Sequence, residues 1–217
     1  MKKDNSLYLV LSKTNTQLGN LICMVTNYHF NHSSLALNED LSELYSFGRL
    51  VKDQFLVGGF IIENPSRYLA LGRDITIRVY KIELSPGDYK ELREHLAYFI
   101  NHKDSMIYNS FSAVTSLFHK KIKAKDAYTC CEFTESLLGL DDIYSIKEFA
   151  ELYADQLIYE GSYRRYLGLS STAVVAPDEL YENKNSLLDR FNGTYTHFST
   201  LFKRMEDDKK HQAGNNS

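Results

Sequence analysis

Between residues 75 and 100 the hydrophobic pattern changes its period. In "ITIRVYKIELSPGDYKELREHLAYFI", Ile75, Ile77 and Val79 alternate and Ile82 resumes after an irregularity, whereas Leu92, Leu96, Phe99 and Ile100 recur at three- and four-residue spacing. Alternation is the signature of a strand with one face buried, and the second spacing is that of an amphipathic helix. Ser85 as N-cap and Pro86 at the first helical position mark the switch. With the mainly antiparallel sheet that the rest of the pattern predicts, packed against helices such as this one, the predicted class is α+β.

The remaining pattern extends this reading. "LYLVLS" at 7–12 reads as a buried strand, and a short helix follows with Thr14 or Thr16 as its cap and Leu18, Leu21, Ile22 and Val25 inward. The runs 32–37 and 43–47 flank the polar turn "NED" and predict a hairpin, while "FLVGGFIIEN" supplies a further strand. Together these make a mainly antiparallel sheet. Helical segments are expected around 108–119, from Cys130 onward, and over "SIKEFAELYADQL" with Ser145 and Glu148 as a capping box. "LIYEGSYRRYL" reads as a final or edge strand, and the basic link "HKKIKAKD" as a solvated turn. Leu187, Phe191, Tyr195, Phe198 and Phe202 form the stripe of a C-terminal amphipathic helix that packs on the domain, a homodimer interface being the alternative. The predicted organisation is a domain over 1–176, a helical extension over 177–205 and a disordered tail over 206–217.

Composition narrows the partners. A formal charge of −3 gives no overall attraction for nucleic acid or anionic lipid. Three cysteines, two of them adjacent, do not make the disulfide framework of a secreted domain. The first apolar run is about six residues, below the ~7–15 of a signal-peptide core, and no run approaches the length of a membrane span. The expected address is cytoplasmic, without stable membrane insertion. Neither a zinc-ligand spacing nor a phosphate or dinucleotide fingerprint occurs, so no metal and no cofactor are expected.

The adjacent Cys130 and Cys131 open a helix that Asp126 or Thr129 can cap. Backbone amides left unpaired in a helix's first turn carry partial positive charge and stabilise a thiolate. Cys130 shares a face with Phe133 and Leu137 and points toward the sheet; Cys131 aligns with Thr134 and Glu135 on a polar flank. The bland alternative is that both are small core fillers. Among seven histidines, His95, His102, His119, His197 and His211 read as solvated. His29 and His32 lie in "NYHFNHSSLALN", where His32 begins a strand with Ser34 and Ala36 on its side. A strand-borne base is held firmly, as activation of a nucleophile requires.

The order "NHSSLAL", "ELYSFGR", "FLVGGFIIE" and "AYTCCEFTESLLG" resembles the circularly permuted papain-fold cysteine hydrolases of the NlpC-like superfamily. The resemblance covers roughly residues 6–165. It implies a permuted papain-like fold, His32 as base and Cys130 as nucleophile, with Phe133 at the aromatic position three residues on. The third, histidine-orienting member falls on Ser46, with Glu43 nearby, and Tyr45 and Arg49 line the substrate side. The function so implied is an amidase or peptidase working through an acyl-enzyme on a peptide or other amide. A thiol acyltransferase or lipid-handling enzyme of the same fold, and a catalytically impaired binding or assembly module, are the alternatives.

Overall fold

The computed structural model describes residues 5–14, 23–24, 27–50, 57–170, 172–178 and 187–214. Among the described residues eight strands form: β1 (Ser6–Ser12), β2 (His32–Ala36), β3 (Leu44–Arg49), β4 (Gly58–Glu63), β5 (Thr76–Glu83), β6 (Ile107–Tyr108), β7 (Ala127–Tyr128) and β8 (Leu157–Ser162). Six make one antiparallel sheet in the order β4-β3-β2-β1-β5-β8, and β6 and β7 pair in parallel as a separate ribbon. The helices set out wholly by described residues are α1 (Ser66–Leu69), α2 (Pro86–Asn101), α3 (Ser110–Thr115), α4 (Cys130–Leu138), α5 (Ile146–Leu152), α6 (Tyr163–Tyr166) and α7 (Leu187–Gly214). The α+β class stands.

Strand β1 is buried on both sides, which explains its unbroken apolar run. Leu7, Leu9 and Leu11 join the larger core beneath α2, α4 and α5, with Phe47 and Phe60 from the neighbouring strands. Tyr8 and Val10 point the other way, into a smaller core with Leu69, Ile77, Val79 and Tyr163. The irregularity anticipated after Val79 is a register shift between Val79 and Tyr80 where β5 meets β8. It lets Ile77 and Val79 serve one core and Tyr80 and Ile82 the other.

Local signals place the helices. Ser85 accepts from the Asp88 amide and Pro86 opens α2, whose Leu92, Leu96 and Phe99 are buried. Thr129 and Glu132 form a reciprocal capping box at α4, and Gly139 ends that helix in the left-handed region that glycine tolerates best. Ser145 caps α5 as expected. Strand β8 is an edge strand, followed at once by α6.

The helix predicted after Thr14 lies largely outside the described residues. Three expectations change. The segment around 108–119 is a two-residue strand and the short helix α3 with a tight turn after it, because Asn109 accepts the Ser112 amide and starts the helix late. The basic link is anchored rather than free, since Lys121 pairs with Glu135. Helix α7 continues to Gly214, through the tail predicted to be disordered. Its buried side is also rotated: Leu201 and His197 are covered, whereas Tyr195 and Phe202 remain largely exposed. The helix packs on its own chain through Leu201 against Ala124 and Ala127, and through Phe198 and Phe202 against Phe111.

An aromatic cluster ties α4 to the sheet. The Phe133 ring lies 5.0 Å from Phe99, 5.4 Å from Phe47 and 5.6 Å from Phe60. Phe133→Ala is therefore expected to destabilise the fold by about 3–5 kcal/mol, the usual cost of emptying a fully buried aromatic site, measured by urea denaturation with an unchanged m-value.

Candidate active site

Helix α4 is set on the sheet by polar as well as aromatic contacts. The Ser33 and Thr134 hydroxyls meet at 3.0 Å, one helical turn beyond Cys130, and both are buried. At the head of the helix the capping box occupies the Glu132 amide with Thr129 Oγ1 and the Thr129 amide with Glu132 Oε2. The Cys130 and Cys131 amides are then the ones left at the open end. The Ser33 backbone amide supports the Cys130 sulfur from the side of β2.

His32 begins β2 immediately after a braced residue. Asn31 accepts from the Thr14 amide and hydroxyl through Oδ1, returns a hydrogen bond to the Thr14 carbonyl through Nδ2, and bonds its backbone amide to Ser12. The ring of His32 is buried, and its Nε2 donates to Glu63 Oε1 at 3.3 Å. With Nε2 engaged, Nδ1 is the nitrogen left for the thiol, and His32 and Cys130 interact by side-chain hydrogen bonding and by charge.

Glu63, at the end of β4, is 1 % exposed. Such burial would keep a carboxyl neutral unless several groups favour its charge. They are present: besides His32, Ser34 Oγ donates to Oε2 at 3.1 Å, Arg67 Nε lies 3.5 Å from Oε1, and the Tyr68 hydroxyl also donates. Desolvation pushes the Glu63 pKa up, but His32, Arg67 and Tyr68 overcome it and hold the group at about 2. The same contest runs at His32, where burial opposes the charge and Glu63 and Cys130 restore it, lifting the ring to about 10. Gly48 clears the ground between them. A Cβ there would stand 3.6 Å from His32 Cε1, 3.7 Å from Glu63 Oε1 and only 2.9 Å from Ile61 Cδ1.

The two thiols part ways in the first turn of α4. A hydrogen bond from Cys131 is the foremost influence holding the Cys130 pKa well below its ordinary value; burial opposes it, and His32 and the Ser33 amide add support. Cys131 is pushed well up by that same bond and by burial, so it stays a thiol. Tyr108 packs beside this pair, its phenol raised by burial and by the negative charge of Cys130 and Glu132.

The structure thus brings together Cys130 and His32 and places Glu63, not Ser46, against the His32 ring. Ser46 shares the face but donates to the Ser33 carbonyl at 2.6 Å, where it ties β3 to β2. Glu43 is exposed and accepts from the Tyr45 hydroxyl. Tyr45 is a buried core residue whose hydroxyl bonds to Glu43. Arg49 ends β3 beside Gly48, its carbonyl accepting from Arg67. His29 is exposed, with its ring edge-on to Phe30, and takes no part. His197, expected at the surface, is buried against Ser110 and the Tyr108 backbone. Sequence reasoning missed Glu63, although its alternation was visible: in "GFIIE" the acid shares the parity of Ile61, a buried position that an unpaired charge does not occupy.

Among the described residues no group of three or more His, Cys, Asp or Glu side chains is arranged to hold a metal ion, and no helix is long and apolar enough to cross a membrane. No family model, curated protein or solved structure matches the chain.

Folded His32 binds its proton more tightly than the unfolded chain does, so its contribution to stability is complete below about 6.5 and lost as pH rises through about 10. Glu63 acts in the opposite sense, contributing fully above about 4.5 and fading as pH falls toward about 2. Cys130, held well below its ordinary value, acts in the same sense as Glu63, so wild-type thermal stability should rise with pH to about 6.5 and level off above it, where the growing contribution of Cys130 offsets the loss at His32. In Glu63→Gln the carboxylate is gone, and the His32 titration, followed by NMR of the ring protons, should fall from about 10 toward neutrality.

Proposed function

We propose that this protein is a cysteine hydrolase of amide bonds, of the permuted papain-like kind, acting through an acyl-enzyme on a peptide or another amide-containing substrate. The observation that carries the reading is the buried chain from Glu63 through His32 to Cys130, in which every charge has an opposite charge beside it. A thiol in a core has no use for a buried imidazolium held by a buried carboxylate. A nucleophile does.

In this reading the Cys130 thiolate attacks the carbonyl carbon of the substrate, and the open Cys130 amide donates to the oxygen as it gains charge. His32 Nδ1 gives its proton to the leaving amine, the carbon–nitrogen bond breaks, and a thioester remains on Sγ. Water then attacks the thioester, passing a proton to His32, and the carbon–sulfur bond breaks to return the thiolate. Glu63 keeps its charge throughout. It fixes the ring and supports the imidazolium without accepting the proton. The complete triad speaks against an impaired binding module.

The reactive form has Cys130 ionised and His32 protonated. Iodoacetamide should therefore label Cys130 rapidly at pH 6, where an ordinary thiol of pKa near 8.5 is almost wholly protonated. His32→Ala should slow this labelling by about 100-fold or more and abolish turnover in a screen of aryl amides and short peptides, and Cys130→Ser should abolish both the labelling at residue 130 and turnover. Labelling of wild type at the rate of a free thiol would sink the proposal.

A further inference from the structure

The hydrolytic cycle uses Cys130 and leaves Cys131 without a task. Cys131 nevertheless stands at the next position of the same first turn, half-buried. Cys23 is engaged elsewhere: its thiol donates to the His29 carbonyl and accepts from Asn31 Nδ2. If the Cys130 sulfur is oxidised, Cys131 is the thiol already at hand.

We infer that Cys131 is a resolving thiol, which captures a hydroperoxide-oxidised Cys130 as a reversible disulfide between the two neighbours. The inference rests on the same nucleophilic Cys130 as the hydrolase reading, but on none of its substrates. The Cys130 thiolate attacks the outer oxygen of a hydroperoxide, the oxygen–oxygen bond breaks, and the alcohol or water leaves with a proton, giving a sulfenic acid. The Cys131 sulfur then attacks the sulfenic sulfur; its proton departs with the hydroxyl as water, and a sulfur–sulfur bond replaces the sulfur–oxygen bond. Two thiols and one hydroperoxide become one disulfide, one alcohol or water, and one further water.

The helix determines how lasting the product is. Adjacent side chains on a helix diverge by roughly 100° around the axis, whereas a disulfide needs its Cβ atoms roughly 3.5–4.5 Å apart. Closing the bond must open the first turn of α4 and break the capping box between Thr129 and Glu132. A bond held against that pull is readily reduced. The device therefore stops hydrolysis, shields Cys130 from irreversible oxidation, and resets when thiols return.

The test uses the full chain treated with hydrogen peroxide, then dimedone, with peptide mass mapping of residues 127–139. Wild type should lose two hydrogens within the 130–131 peptide, carry little dimedone, and recover iodoacetamide labelling of Cys130 after dithiothreitol. Cys131→Ser should carry at least about tenfold more dimedone on Cys130 and pass on to sulfinic acid that dithiothreitol does not reverse. Equal dimedone labelling in the two proteins, a Cys23–Cys130 bridge, or a disulfide-linked dimer would overturn the resolving role while rapid alkylation of Cys130 persists. Slow alkylation together with no oxidation would overturn the nucleophile itself, and the hydrolase reading with it.

Discussion

The buried carboxylate of Glu63 is the constraint around which the site is arranged. Taking an ion of that size out of water costs several kcal/mol, and removing one partner from a buried pair typically costs 3–5 kcal/mol, roughly. The fold answers with donors on every side: His32 and Arg67 bring charge, and Ser34 and Tyr68 bring hydroxyls. The effect spreads outward with alternating sign. Arg67 is positive, Glu63 negative, His32 positive and Cys130 negative, so neighbouring charges attract along the whole row. Removing the carboxylate would leave a guanidinium and an imidazolium facing each other in the interior, which is why the raised pKa of His32 depends on it.

That row can exist only because the sheet carries two kinds of surface. On the side of α4, Leu35, Tyr45, Phe47 and Phe60 make an aromatic and aliphatic floor. On the other side, near the ends of β2 and β3, the residues shrink to Ser34, Ser46 and Gly48, and the Glu63 side chain lies across them. His32 stands where the two surfaces meet, at the first residue of β2, and the head of α4 meets it there. The amphipathic strand alternation that builds the core also builds the trough for the acid.

This division decides what could be read in advance. β1, β5, α2 and α4 announce themselves through local period and capping residues, and Cys130 and His32 follow from helix register and strand parity. The third member does not, because its partner lies two strands away in the sheet order and the link is a side chain crossing Gly48. Reading the next strand for a polar group yields Ser46, whose hydroxyl serves the backbone. His197 misleads in a related manner: its polar helix suggests solvent, yet its own position faces Ser110. Burial of single polar residues is a tertiary fact, carried by neighbours that local pattern does not name.

The C-terminal helix shows how far the site's support extends. Arg204 donates to the carbonyls of Ser105, Lys125 and Asp126, which directly precede the parallel strands β6 and β7. The other ends of those strands deliver Tyr108 to the thiols and Thr129 to the head of α4. His197 meets the ribbon at that end, through Ser110 and the Tyr108 backbone. One helix thus grips both ends of the ribbon that leads into α4. A segment that composition alone marks as an appendage is, by its hydrogen bonds, part of the frame that holds Cys130 against β2.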